Sequence, residues 1–298
     1  MSKRDHVSRR HFLEKTGLTA AAACAAPAAF AADAPAAKRR SRKYEELLPE
    51  QFYGEFDKAP IAYWSTAPME EHGLHNPLGT DFYQGYEVCL RAAEISGGIV
   101  FPPVPIGPAG HPSWSHSELR SGKHKLMPPS FWTSRELCKQ LYTEILEYMA
   151  ELKFKVSIAF AGHWPCDFLL QEIQKELGGR VGAMRFWGGG MCSIMPDIMN
   201  DTAKKYPLCT GHGMMLETSL MMATHPDLVD LPRAKRIKTH PLDSQLKNEP
   251  QERIDRIAAA NAECGNMQLN TAARRAAKLA AALLASAGKT SLAPKNGV

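Results

Sequence analysis

The run Ile61-Ala62-Tyr63-Trp64-Ser65-Thr66-Ala67 leads straight into Pro68-Met69-Glu70-Glu71-His72-Gly73-Leu74-His75-Asn76-Pro77-Leu78-Gly79-Thr80-Asp81. A short, mostly apolar run closed by proline reads as a strand buried on both faces. After the polar segment and a Gly-containing turn, Asp81–Ala93 takes helical spacing, with Tyr86, Leu90 and Ala93 on one side. The alternation repeats along the chain. Gly98–Ile106 reads as a second strand, interrupted by Pro102, Pro103 and Pro105, and a long loop follows through Gly110, Pro112 and Gly122. Ser134–Leu152 reads as an amphipathic helix with Leu137, Leu141, Ile145, Tyr148 and Leu152 facing inward. Val156–Ala161 is a third strand, Asp167–Leu177 a helix and Val181–Trp187 a fourth strand. Met191–Lys205, Met214–Ala223 and most of Arg253–Ala285 read as helices. Strands alternating with helices predict an α/β fold of three layers, with a mostly parallel central sheet and helices on both faces. In such sheets ligands sit beyond the carboxyl ends of the strands. Glu70 and His72 follow the first strand, and His163 directly follows the third.

The bulk numbers agree. The chain has 298 residues, 44% hydrophobic and 22% charged, enough for one sizeable core. The formal net charge is +5, and more than half of it sits in residues 1–31. The remainder is too mild to argue for a nucleic-acid partner. Residues 1–31 have the plan of a secretory leader: a charged start, an apolar run from Leu18 to Ala32, and a small-x-small site at Ala29-Phe30-Ala31. Arg9-Arg10 before Phe12-Leu13 resembles the bacterial twin-arginine signal. The leader predicts a periplasmic or secreted protein that uses the twin-arginine export machinery and keeps no stable membrane anchor. Ala21-Ala22-Ala23 before Cys24 lacks the Leu of a lipoprotein site. Residues 32–58, with the basic cluster Lys38 to Lys43, read as a solvated linker, 59–287 as the domain and 288–298 as a disordered tail. The other cysteines are scattered and most read as buried thiols, with no disulfide framework.

Three pieces carry chemistry. Glu70 and His72 are two apart, which in extended backbone puts both on one face with Glu71 pointing away. Asp81 stands at a helix start, where a carboxylate is also a good cap. Gly162-His163 ends the third strand, and Gly211-His212-Gly213-Met214-Met215-Leu216-Glu217-Thr218-Ser219 opens a helix. Carboxylates with imidazoles suit zinc, manganese or iron. His75, Trp164 and Trp187 are the candidate substrate contacts, with Trp114 and Trp132 as further rings that either wall a pocket or pack in the core.

These motifs resemble the creatininase (creatinine amidohydrolase) family from about Ile61 to Leu284. The first block matches Glu-x-His-Gly-x-His-x-Pro-x-x-Thr-Asp, and the last matches His-x-Gly-x-x-Glu-Thr-Ser in its spacing of His and Glu, with Gly213 and Met214 in place of the usual Ala-Gly. The resemblance implies a creatininase-like fold and two divalent metal ions per subunit (Zn, Mn or Fe). Glu70, His72, Asp81, His163 and Glu217 would be the ligands, with Asp81 bridging, and His212 the catalytic acid/base. It implies hydrolysis of a C–N bond in a small, sometimes cyclic, amide by a metal-bound hydroxide, and a homo-oligomer, often a hexamer. The chain departs from the family at Trp164-Pro165-Cys166, where creatininase has a glutamate two residues after the histidine; if a fifth protein ligand is needed, Glu217 must supply it. The alternatives are a metallopeptidase trimming a short peptide, a degenerate member that only binds a small ligand, and a cysteine hydrolase using Cys166, which lacks a nucleophile elbow.

Overall fold

The computed structural model describes residues 41–108, 110, 111, 113–124, 129–205, 209–235 and 251–287. The leader, the basic cluster up to Arg40 and the tail from 288 lie outside the described residues. Five strands form one sheet: β1 (Ile61–Thr66), β2 (Ile99–Val100), β3 (Val156–Ala161), β4 (Arg180–Val181) and β5 (Met184–Gly190). Their order is β2-β1-β3-β5-β4. All neighbours run parallel except β4, which pairs antiparallel with β5 at the edge. The helices are α1 (Pro49–Lys58), α2 (Thr80–Ser96), α3 (His116–Arg120), α4 (Arg135–Glu151), α5 (Trp164–Glu176), α6 (Met191–Ile194), α7 (Pro196–Lys205), α8 (Met215–Thr224), α9 (Leu231–Ala234), α10 (Gln251–Ala258) and α11 (Ala262–Ala287).

The period of two along β1 and β3 makes the three layers. Tyr63, Ile158 and Phe160 point to one face, where Val88 and Ala92 of α2 and Leu269, Ala273 and Ala276 of α11 cover them. Trp64, Ala159 and Ala161 point to the other, against Tyr142 and Leu146 of α4 and Leu169 and Ile173 of α5. The expected α/β sandwich is present, and β1 and β3 are buried at every position.

Four expectations need correction. The second strand is only Ile99–Val100, because Pro102, Pro103 and Pro105 have no N–H to donate to a ladder. The donors that remain still follow β1: Phe101 N bonds Tyr63 O and Val104 N bonds Ser65 O, both at 2.8 Å. The fourth strand is a hairpin arm that extends through Gly188-Gly189-Gly190. Pro196 splits the expected Met191–Lys205 helix into α6 and α7. Helix α4 is turned by one residue from its expected orientation: Cys138, Tyr142, Leu146 and Met149 are buried, whereas Leu137 and Tyr148 are 53% and 49% exposed. Two apolar stripes lie side by side on this helix. The buried one carries the Tyr142 hydroxyl, which donates to Ile106 O at 2.6 Å and accepts from Thr66 Oγ1 at 2.5 Å.

The expected linker is also partly wrong. From residue 41 the chain is folded, and α1 packs Phe52 and Phe56 against the α4–α5 side of the core. Phe56 meets the buried Phe154 edge-on at 5.0 Å.

Candidate metal centre

The chain segments that leave the carboxyl ends of β1 and β3 converge. β3 delivers His163 in extended conformation (φ −119°, ψ 141°), immediately before α5 opens with Trp164 and Pro165. Proline suits this first turn because its missing N–H has no intrahelical partner there. Asp81 lies in the first turn of α2, whose N-cap is Gly79 with no side-chain cap bond. Asp81 is therefore not a cap. Its two oxygens divide between two imidazoles: Oδ1 is 2.9 Å from His72 Nε2, and Oδ2 is 2.7 Å from His163 Nδ1. Gly162 permits this approach, since a Cβ on it would stand 1.9 Å from Asp81 O. Gln84 Nε2 ties the two segments by donating to Asp81 Oδ1 at 2.9 Å and to Gly162 O at 2.6 Å.

Two donor sets result. Glu70, Asp81 and His163 form a fully buried one, and His72, His212 and Glu217 form a second, more open one. Asp81 touches both. His72 Nδ1 donates to Glu70 O at 3.0 Å, which turns Nε2 toward the centre. Glu217, in the first turn of α8, accepts from Gly213 N at 2.6 Å and brings Oε2 to 3.7 Å from His72 Nε2. Gly213 has φ +66°, and a Cβ on it would press on the His72 backbone at 2.9 Å, so this loop needs glycine.

The charged groups of this centre act strongly on one another. Burial alone would raise the Asp81 carboxyl, yet His72 and His163 hold it well below the usual carboxylate range. Burial pulls the His72 imidazole down, but Asp81 and Glu217 outweigh it and hold it near a pKa of about 10. Glu70 Oε2 and His163 Nε2 lie 3.3 Å apart, and neither makes a hydrogen bond although both are buried. Buried polar atoms of native proteins are nearly always satisfied. A carboxylate oxygen and an imidazole nitrogen aimed at the same point, with a shared aspartate beside them, form the donor set that divalent zinc, manganese or iron takes.

A cavity of about 650 Å³ opens onto this centre, lined by Glu70, Asp81, His163, His212 and Glu217 and walled by Trp114 and Trp164. The family model described as creatinine amidohydrolase matches residues 45–288. The chain belongs to the creatininase family. A creatinine amidohydrolase of Pseudomonas putida is 26% identical over 191 residues, which cover 58% of this chain and 66% of that protein, just under two-thirds of its length. A crystal structure of creatininase superposes with a TM-score of 0.60 at 20% identity, covering 81% of this chain and 97% of that one. A manganese creatininase gives a TM-score of 0.56 at 20% identity, covering 83% and 98%. A glutamate-to-glutamine creatininase mutant complexed with creatine gives 0.60 at 20% identity, also covering 83% and 98%. At these identities the structural likeness concerns the creatininase fold.

The structure brings together all five expected ligands and His212. His212 is half exposed, its Nε2–H donates to Glu71 O, and its ring centroid lies 4.2 Å from that of His72. Two of the expected substrate contacts are corrected. His75 is buried and bonds Thr218 Oγ1 at 2.9 Å, tying the first loop to α8, and it is absent from the cavity wall. Burial lowers its pKa to about 4. Trp187 points from β5 into the α2–α11 side of the core. Trp164 does line the cavity, and so does Trp114; Trp132 does not. Glu71, expected to point away, lines the cavity as well. Residues 67–79 form a loop rather than a strand, so strict alternation fails there: Glu71 N bonds Ser130 Oγ at 3.2 Å, and its carboxylate turns back to accept from Gly73 N. Arg253 of α10 also lines the cavity and gave no sequence signal. Cys166 is fully buried and burial pushes its thiol well up, which removes it as a nucleophile.

Proposed function

We propose that this creatininase-family amidohydrolase holds two divalent ions and hydrolyses a C–N bond of an amide substrate. The observation that carries the reading is the division of Asp81 between two imidazoles, with a second carboxylate near each: Glu70 beside His163 and Glu217 beside His72. Glu70, Asp81 and His163 would hold one ion, and His72, Asp81 and Glu217 the other. Bound divalent ions supply a Lewis acid for the amide carbonyl and lower the pKa of bound water toward about 7. The protein's own part is to fix the donors and to supply a proton. Gln84 and the Glu70 carbonyl orient Asp81 and His72, as the outer partners of metal ligands do. His212, which lines the cavity beside His72 and Glu217, would protonate the leaving nitrogen. Pro165, two residues after His163, offers neither a backbone donor nor a ligand. Glu217, from α8, would supply the carboxylate beside His72 instead.

Elemental analysis of the purified mature chain is expected to find two zinc, manganese or iron ions per subunit. Dialysis against a chelator should remove them and abolish turnover on a panel of cyclic ureas, formamides and short peptides, with recovery on adding metal. Full turnover by the metal-free protein would overturn the reading.

We also propose export by the twin-arginine route and assembly as a homo-oligomer. The export reading is supported by Arg9-Arg10, Phe12-Leu13 and the apolar run that follows. Changing both arginines to lysine should leave full-length precursor in the cytoplasm, and normal export of that variant would refute it. No helix among the described residues is long and apolar enough to cross a membrane.

A further inference from the structure

The two donor sets are held by different parts of the fold. In the buried inner set, Glu70 follows β1, Asp81 opens α2 and His163 follows β3, and Gln84 ties the last two through Asp81 Oδ1 and Gly162 O. In the more open outer set, His72 and Glu217 belong to segments distant in sequence, the loop after β1 and the first turn of α8, and they face each other across 3.7 Å. We propose that Asn76, His75 and Thr218 form a clamp that sets this gap, acting as positioning residues for the outer donor set and not for the inner one. This rests on the two-ion reading of the donor sets.

Thr218 is fully buried on α8, next to Glu217. Its hydroxyl proton goes to Met214 O at 2.9 Å, one turn back. A hydroxyl has one proton and two lone pairs, so Thr218 Oγ1 can only accept from its other neighbours. They are His75 Nε2 at 2.9 Å and Asn76 Nδ2 at 3.0 Å. Burial keeps the His75 imidazole neutral, and its single proton therefore sits on Nε2. Every hydrogen-bonding position of the Thr218 hydroxyl is used, and two of them hold the loop after β1.

Asn76 makes the link to the ligand itself. The same Nδ2 donates to His72 O at 3.2 Å. A carbonyl oxygen only accepts, so the NH2 end of the amide must face this side. That orientation leaves Oδ1 buried and unpaired, whereas the reverse would set an oxygen against His72 O. The two amide protons divide between His72 O and Thr218 Oγ1, joining the backbone of one candidate ligand to the side chain beside the other. Two further contacts close the loop on the clamp. Gly73, at φ +82°, lies over the His75 ring, where a Cβ would stand 2.7 Å from Cε1. Asp230 N donates to His75 O at 2.9 Å and binds the loop to the segment after α8. None of these bonds ends on Glu70, Asp81 or His163.

The test titrates zinc into the metal-stripped protein by calorimetry, in two backgrounds that each keep one donor set. Glu217→Gln disables the outer set and Glu70→Gln the inner, so each background should bind one ion. Adding Thr218→Val should leave the zinc affinity of the Glu217→Gln background unchanged. In the Glu70→Gln background it should weaken zinc binding roughly 10–100-fold, the loss expected when an outer partner of a metal ligand is removed. Thr218→Ser keeps the hydroxyl and should keep the affinity. Asn76→Ala should act as Thr218→Val does, and it carries the test if Thr218→Val prevents folding. The clamp is overturned by unchanged affinity in the Glu70→Gln background, by equal loss in both backgrounds, or by Thr218→Ser behaving like Thr218→Val. A wild type that does not bind two ions, or a background that does not bind one, refutes the two-ion reading itself and the clamp with it.

Discussion

Asp81→Asn is expected to lose both metal ions together and to reduce turnover below detection. The neutral amide keeps the shape and can still accept from Gln84, which donates at 2.9 Å, so the fold around it should persist. What disappears is the one charge that faces both His72 and His163. A ligand confined to one site would take one ion with it, but a shared ligand takes two. Metal-loaded wild type should gain stability on binding, about 2.7 kcal/mol per ion at a hundredfold excess over Kd. The thermal melting shift on adding zinc or manganese should vanish in Asp81→Asn, with elemental analysis falling from two ions toward none. Full loading of the variant would mean that Asp81 is a structural partner of the histidines and no bridge.

His212→Ala should behave differently. As the proposed acid for the leaving nitrogen, the imidazole would contribute a factor of roughly 10²–10⁴ to the rate. The variant is expected to keep both ions and its substrate affinity while kcat falls by that factor. The geometry makes this a sharp test, because the His212 ring is 4.2 Å from His72 and close enough to Glu217 to share a cation. Loss of one ion with the other retained would reassign His212 as a ligand of the outer set.

Much of this centre was readable from the chain because its parts sit at strand ends and helix starts, where local pattern and position coincide. Glu70, His72, Asp81 and His163 needed only the ends of two strands and the start of one helix. The misplaced residues are those whose environment is set by distant segments. His75 lies in the same motif as His72, but its partner is Thr218, which is 143 residues away in sequence. Trp187 and Trp164 are alike by composition, yet one falls inside the sheet layer and the other just beyond a strand end. Helix α4 offered two apolar stripes one residue apart, and the choice between them was made by the Tyr142 hydroxyl finding Ile106 and Thr66. Helix α1 was hidden by its charged approach: Lys43, Glu45 and Glu46 precede it, and only contact with Phe154 shows that Phe52 and Phe56 are core. Arg253 gave no local signal because a charged residue on a helix is ordinarily a solvated one.

The donors and most of the walls come from different parts of the chain. Glu70, His72, Asp81 and His163 hang from segments anchored in the central sheet and its first helical turns, whereas Trp114 sits on the long loop before α4 and Arg253 on α10. Substitutions in that loop or helix would reshape the cavity wall while leaving the candidate metal donors where they are. The wall and the donor centre are thus set by separate stretches of sequence, each open to change without the other.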